Sequence, residues 1–458
     1  MNKLIIAAAI SAALCILPVQ AKKKPAPEPK KTAAYASTYQ AIASAPVLIQ
    51  HGTVLTGTGA RLEDTDVLLQ DGKIHSIGKN ISAPSNAVVI NATGKWVTPG
   101  IIDVHSHLGV YASPSIQASS DGNEATSPVT ANVWAEHSVW PQDAGFAKAL
   151  AGGVTSMQIL PGSANLVGGR SVILKNVAAT TYQAMKFPDA PFGVKMACGE
   201  NPKRVYGEKG GPSTRMGNMA GYRAAFIGAQ AYRKQWDAYE KGGREGDAPD
   251  LDLANETLAG ILSGEIFVNI HCYRADEMAA MIDLSKEFGF QISSFHHAVE
   301  AYKIADLLAR EKICGALWAD WWGFKLEAYD GIEENIALVD KPEGGCAIVH
   351  SDSAEGIQRL NQEAAKVIAS SARVNINISP ERAINWLTSN AAKALHIDKQ
   401  TGSLEAGKMA DVVIWNGTPF STYAKAEKVF IDGALLYDRN NKALQPKVDF
   451  LIGQEGQP

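Results

Sequence analysis

From residue 46 to 99 apolar and polar positions alternate in short runs, VLIQHGTVLTGTG, TDVLLQDGKIHSIG and AVVINATGKWVTPG, separated by turn residues. Period-two alternation reads as half-buried strand, and Asp71-Gly72 and His51-Gly52 are the residue types of tight hairpin turns. The same pattern returns near the other end, in ADVVIWNG and KVFIDGALLYD, with Asp432-Gly433 as a further hairpin signal. Neither end supplies enough strands for a stable sheet of its own. The pattern therefore predicts one small β-sandwich assembled from both termini, residues 46–99 with 391–458.

Between these ends the pattern changes. Eight apolar runs, GIIDVHSH, GVTSMQIL, GRSVILK, FGVKMACG, EIFVNIHC, QISSFHHA, ICGALWAD and CAIVHSD, alternate with helical stretches such as DEMAAMIDLSKEF and EAYKIADLLAREK. Strands buried on both faces and followed by helices point to α/β architecture. Their number favours a (β/α)8 TIM barrel over residues 100–390 rather than an open doubly wound sheet. Neither GxGxxG nor GxxxxGK[ST] occurs in the chain, so a nucleotide site has no support.

The first residues follow a different rule. Lys3 precedes an almost wholly apolar stretch, Leu4 to Leu17, and Val19-Gln20-Ala21 offers a small-residue cleavage site. Residues 1–21 thus read as a cleavable signal peptide, which predicts a periplasmic or secreted protein. Residues 22–45, rich in Lys, Pro and Ala, read as a solvated linker. Apart from the leader no apolar run spans a bilayer, so integral membrane association is not expected. A chain of 458 residues with 46% hydrophobic residues and a net charge of −4 can bury a large core. It also lacks the basic excess of a nucleic-acid binder. Cys198, Cys272, Cys314 and Cys346 lie in or beside apolar strands, which predicts buried free thiols, although export permits a disulfide.

Candidate chemistry gathers at the strand ends. His105 and His107 form H-S-H, and residues i and i+2 on a strand share a face, so both imidazoles can grip one cation. His271 ends another strand, His296-His297 a third, and His350 with Asp352 the last. In a TIM barrel the C-terminal strand ends converge, which brings these distant residues to one mouth.

With these motifs the chain resembles the amidohydrolase superfamily over residues 46 to about 445. The resemblance is carried by TPGIIDVHSHLG, AGGVTSMQILPGSANLVGG, KMACGENPKRVYG, HHAVEAYKIAD, VHSDSAEG and the tail LTSNAAKALHIDKQTGSLEAGKMADVVIW. The tail is similar to the imidazolonepropionase-like and dipeptidase-like branch. The resemblance implies that His105, His107, His271, His297 and Asp352 are metal ligands. His297 is preferred to His296 because it stands three residues before the Glu of E-A-Y. It also implies two Zn²⁺ ions bridged by a carboxylated Lys195, with Glu200 as the alternative bridging ligand. His350 reads as a packed barrel histidine.

The implied activity is hydrolysis of an amide C–N bond in a dipeptide or N-acyl amino acid. A metal-bound hydroxide would attack, and Asp352 would shuttle the proton as the catalytic residue. Deaminases of the superfamily carry Glu three residues after the strand-five histidine; here that position is Arg274. A cyclic amide is the second substrate class, and a non-catalytic metal-containing receptor is the competing kind of function. Arg215, Arg274 and Lys325 are candidates for binding a substrate carboxylate, and Arg223 is a further cation near the loops. PGSANLVGG reads as a flexible substrate loop, Glu136-His137 as a cap or an ordinary helix, and Asp320-Trp321-Trp322 as a pocket wall. The expected partner is a small molecule, and homo-oligomerisation is left open.

Overall fold

The structure, a computed structural model, describes residues 35–445. The signal segment and most of the linker lie outside the described residues. Five strands precede the barrel: β1 (Val47–Leu55), β2 (Arg61–Gln70), β3 (Lys73–Gly78), β4 (Val88–Asn91) and β5 (Trp96–Pro99). The barrel strands are β6 (Ile101–Ser106), β7 (Val154–Ile159), β8 (Val167–Lys175), β9 (Gly193–Ala197), β10 (Phe267–Cys272), β11 (Ile292–His297), β12 (Cys314–Leu317) and β13 (Ala347–Val349). Three strands follow: β14 (Val412–Trp415), β15 (Ala426–Ile431) and β16 (Ala434–Asp438).

The two ends of the chain share one sheet, ordered β16-β15-β14-β5-β1-β2-β3, with β4 also paired to β1. The seam between the ends is β5 against β14, antiparallel, from Pro99↔Val412 to Trp96↔Trp415. Its core mixes both ends: Val47, Ile49, Val54 and Val97 pack with Val412, Ile414 and Phe430. Asp71-Gly72 and Asp432-Gly433 both have positive φ, as the hairpin signals require. His51-Gly52 does not turn the chain. It forms an irregularity inside β1, between Ile49 and Gly52. A Cβ on Gly52 would meet Val97 Cγ2 at 2.9 Å, so glycine there lets β5 lie close.

The central sheet runs β6 through β13 in chain order and curls into a nearly closed eight-stranded barrel. Helices Ala275–Phe288, Ala305–Glu311 and Leu360–Ser371 follow β10, β11 and β13. One strand departs from the regular pattern. β8 is antiparallel to both β7 and β9. Only residues 160–166 join β7 to β8, and a parallel crossover needs a dozen residues or more. The expected flexible substrate loop is therefore a tight connection. Asn165 Nδ2 pins it, donating to Glu124 O at 2.9 Å and to Tyr206 Oη at 2.7 Å.

Side chains and backbone close the barrel between β6 and the segment after β13. Ser351 N donates to Asp103 Oδ1 (3.2 Å), Ser351 Oγ donates to Asp103 Oδ2, and Asp352 N donates to His105 O (3.0 Å). This seam fixes the strand-eight aspartate beside the first histidine.

The four cysteines do not remain free thiols. Cys198 pairs with Cys272 and Cys314 with Cys346, with Cα–Cα separations of 5.2 and 4.6 Å. Each pair joins neighbouring parallel strands, which places their Cα atoms within disulfide reach. Sequence separations of 74 and 32 residues hide that adjacency.

Candidate metal centre

His105 lies within β6 and His107 just past its end. Their Nε2 atoms are 3.3 Å apart. Asp352 Oδ1 stands 3.4 Å from His105 Nε2 and 3.2 Å from His107 Nε2. Lys195, wholly buried on β9, brings Nζ to 3.4 Å from His105 Nε2. Ligands held 2.0–2.1 Å from one tetrahedral zinc ion lie roughly 3.3–3.4 Å from each other. The spacing of the two imidazoles and the carboxylate fits that figure, so these residues fit a divalent cation.

The orientation of each ring is set from behind. His107 Nδ1 lies 2.9 Å from Leu160 O, so it donates there and leaves Nε2 as the free lone pair. Leu160 belongs to the short connection imposed by the reversed β8, as does Pro161, whose carbonyl is 3.4 Å from Lys195 Nζ.

A second group flanks the first. The His271 and His297 rings have centroids 4.7 Å apart, and His297 is equally close to His105. His297 Nδ1 is 3.8 Å from Asp352 Oδ2. His271 Nδ1 is buried without a hydrogen-bond partner among the described residues. His297 sits at φ 68, in the left-handed region. Strict strand alternation would point His296 and His297 to opposite faces. With that turn at the strand end both rings approach His105, His296 behind it and His297 beside Asp352.

His350 also joins the cluster. Its Nε2 is 3.2 Å from His297 Nδ1, and His105, His297 and His350 could share one ion. His350 is itself 1% exposed, packed against the rings of His297 and Trp318.

Burial dominates the electrostatics. It drives His105, His271, His296 and His297 well below the usual imidazole range, helped by Lys195 and by one another. They are neutral, as metal ligation requires. Burial also pushes His350 down to about 4 and Lys195 down to about 7. For Asp352 burial raises the pKa, but the His107 hydrogen bond and neighbouring cations outweigh it and hold the carboxyl below its ordinary value.

The other expected residues lie elsewhere. Glu200 faces Lys325 at 3.5 Å. Lys325 sits 3.9 Å above the Tyr273 ring and 3.5 Å from Glu327. Arg215 is held by Glu277 (2.8 Å) and by Glu327, and Arg274 is bidentate to Asp276. Arg223 pairs with Glu287. None of the three arginines offers a free guanidinium. Glu136 is buried against Lys186 at 2.6 Å, in the short 3-10 turn Ala135–Ser138.

The comparisons with known proteins bear on this arrangement. The crystal structure of an amidohydrolase from Thermotoga maritima is similar over 86% of this chain and all of its own, with 37% identity and a TM-score of 0.79. This chain belongs to the amidohydrolase family. A family model described as Amidohydrolase family matches residues 342–436, which span β13 to β15 and include Asp352. The amidohydrolase tasK of Hapsidospora irregularis is 32% identical over 431 residues, 86% of this chain but 43% of that protein. A dihydroorotase of Bacillus cytotoxicus is 51% identical over 61 residues, 14% of its length. The chain thus spans less than half the length of these curated relatives. As in amidohydrolases generally, a divalent metal is the expected cofactor of such a histidine cluster.

Proposed function

We propose that this amidohydrolase is an exported, metal-dependent hydrolase that cleaves the amide C–N bond of a dipeptide or an N-acyl amino acid. The observation that carries the reading is the donor set of His105, His107 and Asp352, spaced at 3.2–3.4 Å with Lys195 beside it.

Two divalent cations, zinc by preference for this nitrogen and oxygen donor set, are the proposed occupants. His105 and His107 would hold one, His271 and His297 the other, with Asp352 at the first. A lysine ammonium next to two imidazoles would repel a cation. Addition of carbon dioxide to the Lys195 amine, with loss of a proton, would give a carbamate whose negative charge attracts cations instead. When bound, such ions polarise a carbonyl and make water nucleophilic near neutral pH.

The chain's own part is positioning and proton transfer. Asp352 is fixed by its backbone hydrogen bond to His105 O and by the seam at Ser351. Its carboxylate takes a proton from the attacking water and delivers it to the leaving nitrogen. Tyr273, Trp318 and Lys325 border the mouth, since Tyr273 and Trp318 both stack on His297 and Lys325 lies over Tyr273.

The test is elemental analysis of the purified protein, followed by a screen of dipeptides, N-acyl amino acids and cyclic amides with metal-loaded protein. Two equivalents of metal and turnover of a linear amide are expected. Less than one equivalent after growth in metal-supplemented medium would reject the centre. Turnover confined to cyclic amides would replace the substrate class.

A further inference from the structure

Beyond the strand-eight end lies a cavity of about 440 Å³. Trp318, Trp321, His350, Ser351 and Arg359 contribute to its lining. It shares walls with the metal centre. Trp318 stacks on His297 with centroids 4.3 Å apart, and Trp321 stacks on Trp318 at 5.3 Å.

Arg359 and one nitrogen of His350 have no protein partner in the lining. Arg359, exposed to solvent, makes no ion pair or hydrogen bond through its guanidinium among the described residues. His350 is 1% exposed, and its Nδ1 is buried without a hydrogen-bond partner. His350 Nε2 is taken up by His297, whose N donates to it at 3.3 Å, which leaves Nδ1 as the ring nitrogen without a partner. A buried ring nitrogen without a partner is costly, which marks the position as one that a ligand group can satisfy. Lys366 and Glu363 pair with each other in the lining, whereas Glu355, exposed at its edge, forms no ion pair among the described residues. Lys366 holds Glu363 at 2.8 Å and Asp320 at 2.9 Å, and Ser353 donates to Glu355 at 3.2 Å.

We propose that this cavity is the subsite for a carboxylate carried by the substrate, with Arg359 as its counter-ion and the Trp318–Trp321 pair flanking the adjoining apolar group. The inference rests on the amide-hydrolase reading and names its substrate class: an amide whose remaining portion is both anionic and apolar. Arg359 takes the place of Arg215 and Arg274, whose guanidiniums are already bound.

Two measurements on the full-length, metal-loaded protein test it. The first compares the specificity constants of a turned-over amide carrying a free carboxylate and of its carboxamide counterpart. The wild type should favour the carboxylate by about tenfold to a hundredfold, the scale of a charge-assisted hydrogen bond. Arg359→Gln should collapse that ratio towards one, mainly through KM, and Arg359→Lys should restore part of it. An unchanged ratio in Arg359→Gln, or equal rates in the wild type, would overturn the subsite.

The second measurement is calorimetric binding of 3-phenylpropionate and 3-phenylpropanol, which needs no turnover. Weakening of the carboxylate alone by about tenfold in Arg359→Gln supports the subsite. Equal binding to wild type and variant would overturn it, including the case of a carboxylate captured by the metal. If no amide in the screen is turned over, the activity reading falls while this binding result still decides the subsite.

Discussion

The Nδ1 atoms of His105 and His296 lie 2.7 Å apart, and the proton between them has a determined owner. Ser294 Oγ donates to Asn269 Oδ1 at 2.8 Å, so its lone pair accepts from His296 Nε2, also at 2.8 Å. His296 therefore carries its proton on Nε2 and accepts from His105 Nδ1–H. The lone pair of His105 is left on Nε2, facing the candidate metal position. This chain of partners orients a ligand from behind, the arrangement by which outer residues raise ligand basicity.

His296→Phe and His296→Gln should therefore weaken metal binding by about tenfold to a hundredfold. Competition with a chelator measures this without any substrate. Unchanged metal affinity in both variants would remove His296 from the centre.

Lys195 and Asp352 should separate by phenotype. Lys195→Ala should lower the metal content, while Glu200→Ala, which alters only a partner of Lys325, should keep it. Asp352→Asn retains an oxygen donor, so it should keep metal yet lose turnover by about 10²- to 10⁴-fold, the range for a general acid–base group. Bicarbonate should raise the metal content of the wild type and leave that of Lys195→Ala unaffected. Metal loss in Glu200→Ala, with Lys195→Ala fully loaded, would reverse the assignment of the bridge.

Lys175 joins the barrel to the two-ended sheet. Its Nζ lies 3.0 Å from both Asp411 Oδ1 and Asp432 Oδ1, all three residues are buried, and Tyr39 Oη also donates to Asp432. Lys175→Met would leave two buried carboxylates facing each other, at a cost of about 3–5 kcal/mol. Burial and Asp411 already raise the Asp432 pKa, and losing Lys175 raises it further. An acid whose folded pKa is raised binds more protons folded than unfolded, so the deficit should shrink as pH falls. Urea unfolding at mildly acidic and mildly alkaline pH reads both effects. A deficit that grew on acidification would contradict the ion-pair account.

Truncation after residue 402 removes β14, β15 and β16 with both Asp411 and Asp432. The strand partner of β5 and the counter-ions of Lys175 disappear together. The truncated chain should fail to fold at all. A soluble product with a cooperative thermal transition would show that the barrel does not need the C-terminal strands.

The disulfides close loops of 74 and 32 residues. The chain-entropy relation gives about 4 kcal/mol for each. Cys198, Cys272, Cys314 and Cys346 should resist thiol labelling under denaturing, non-reducing conditions and react after reduction. Labelling of all four without reductant would restore the free-thiol expectation.

Local signals located much of this protein. Alternation and turn residues marked the strands at both ends, and eight apolar runs coincide with β6 through β13. H-S-H and the VHSD run placed ligand-type residues at strand ends because side-chain direction along a strand has a period of two. Other features depend on partners distant in sequence. The reversal of β8 followed from a connection too short to cross over, and it sets the carbonyl that orients His107. The left-handed turn at His297 lets two adjacent histidines approach His105. Cys198 met Cys272, and Arg215 met Glu277 and Glu327, only when separate strands and helices were packed side by side. Residue type and spacing determine which groups can bind a metal or an anion. Whether a guanidinium, a thiol or an imidazole remains free to do so is decided by the neighbours that tertiary packing supplies.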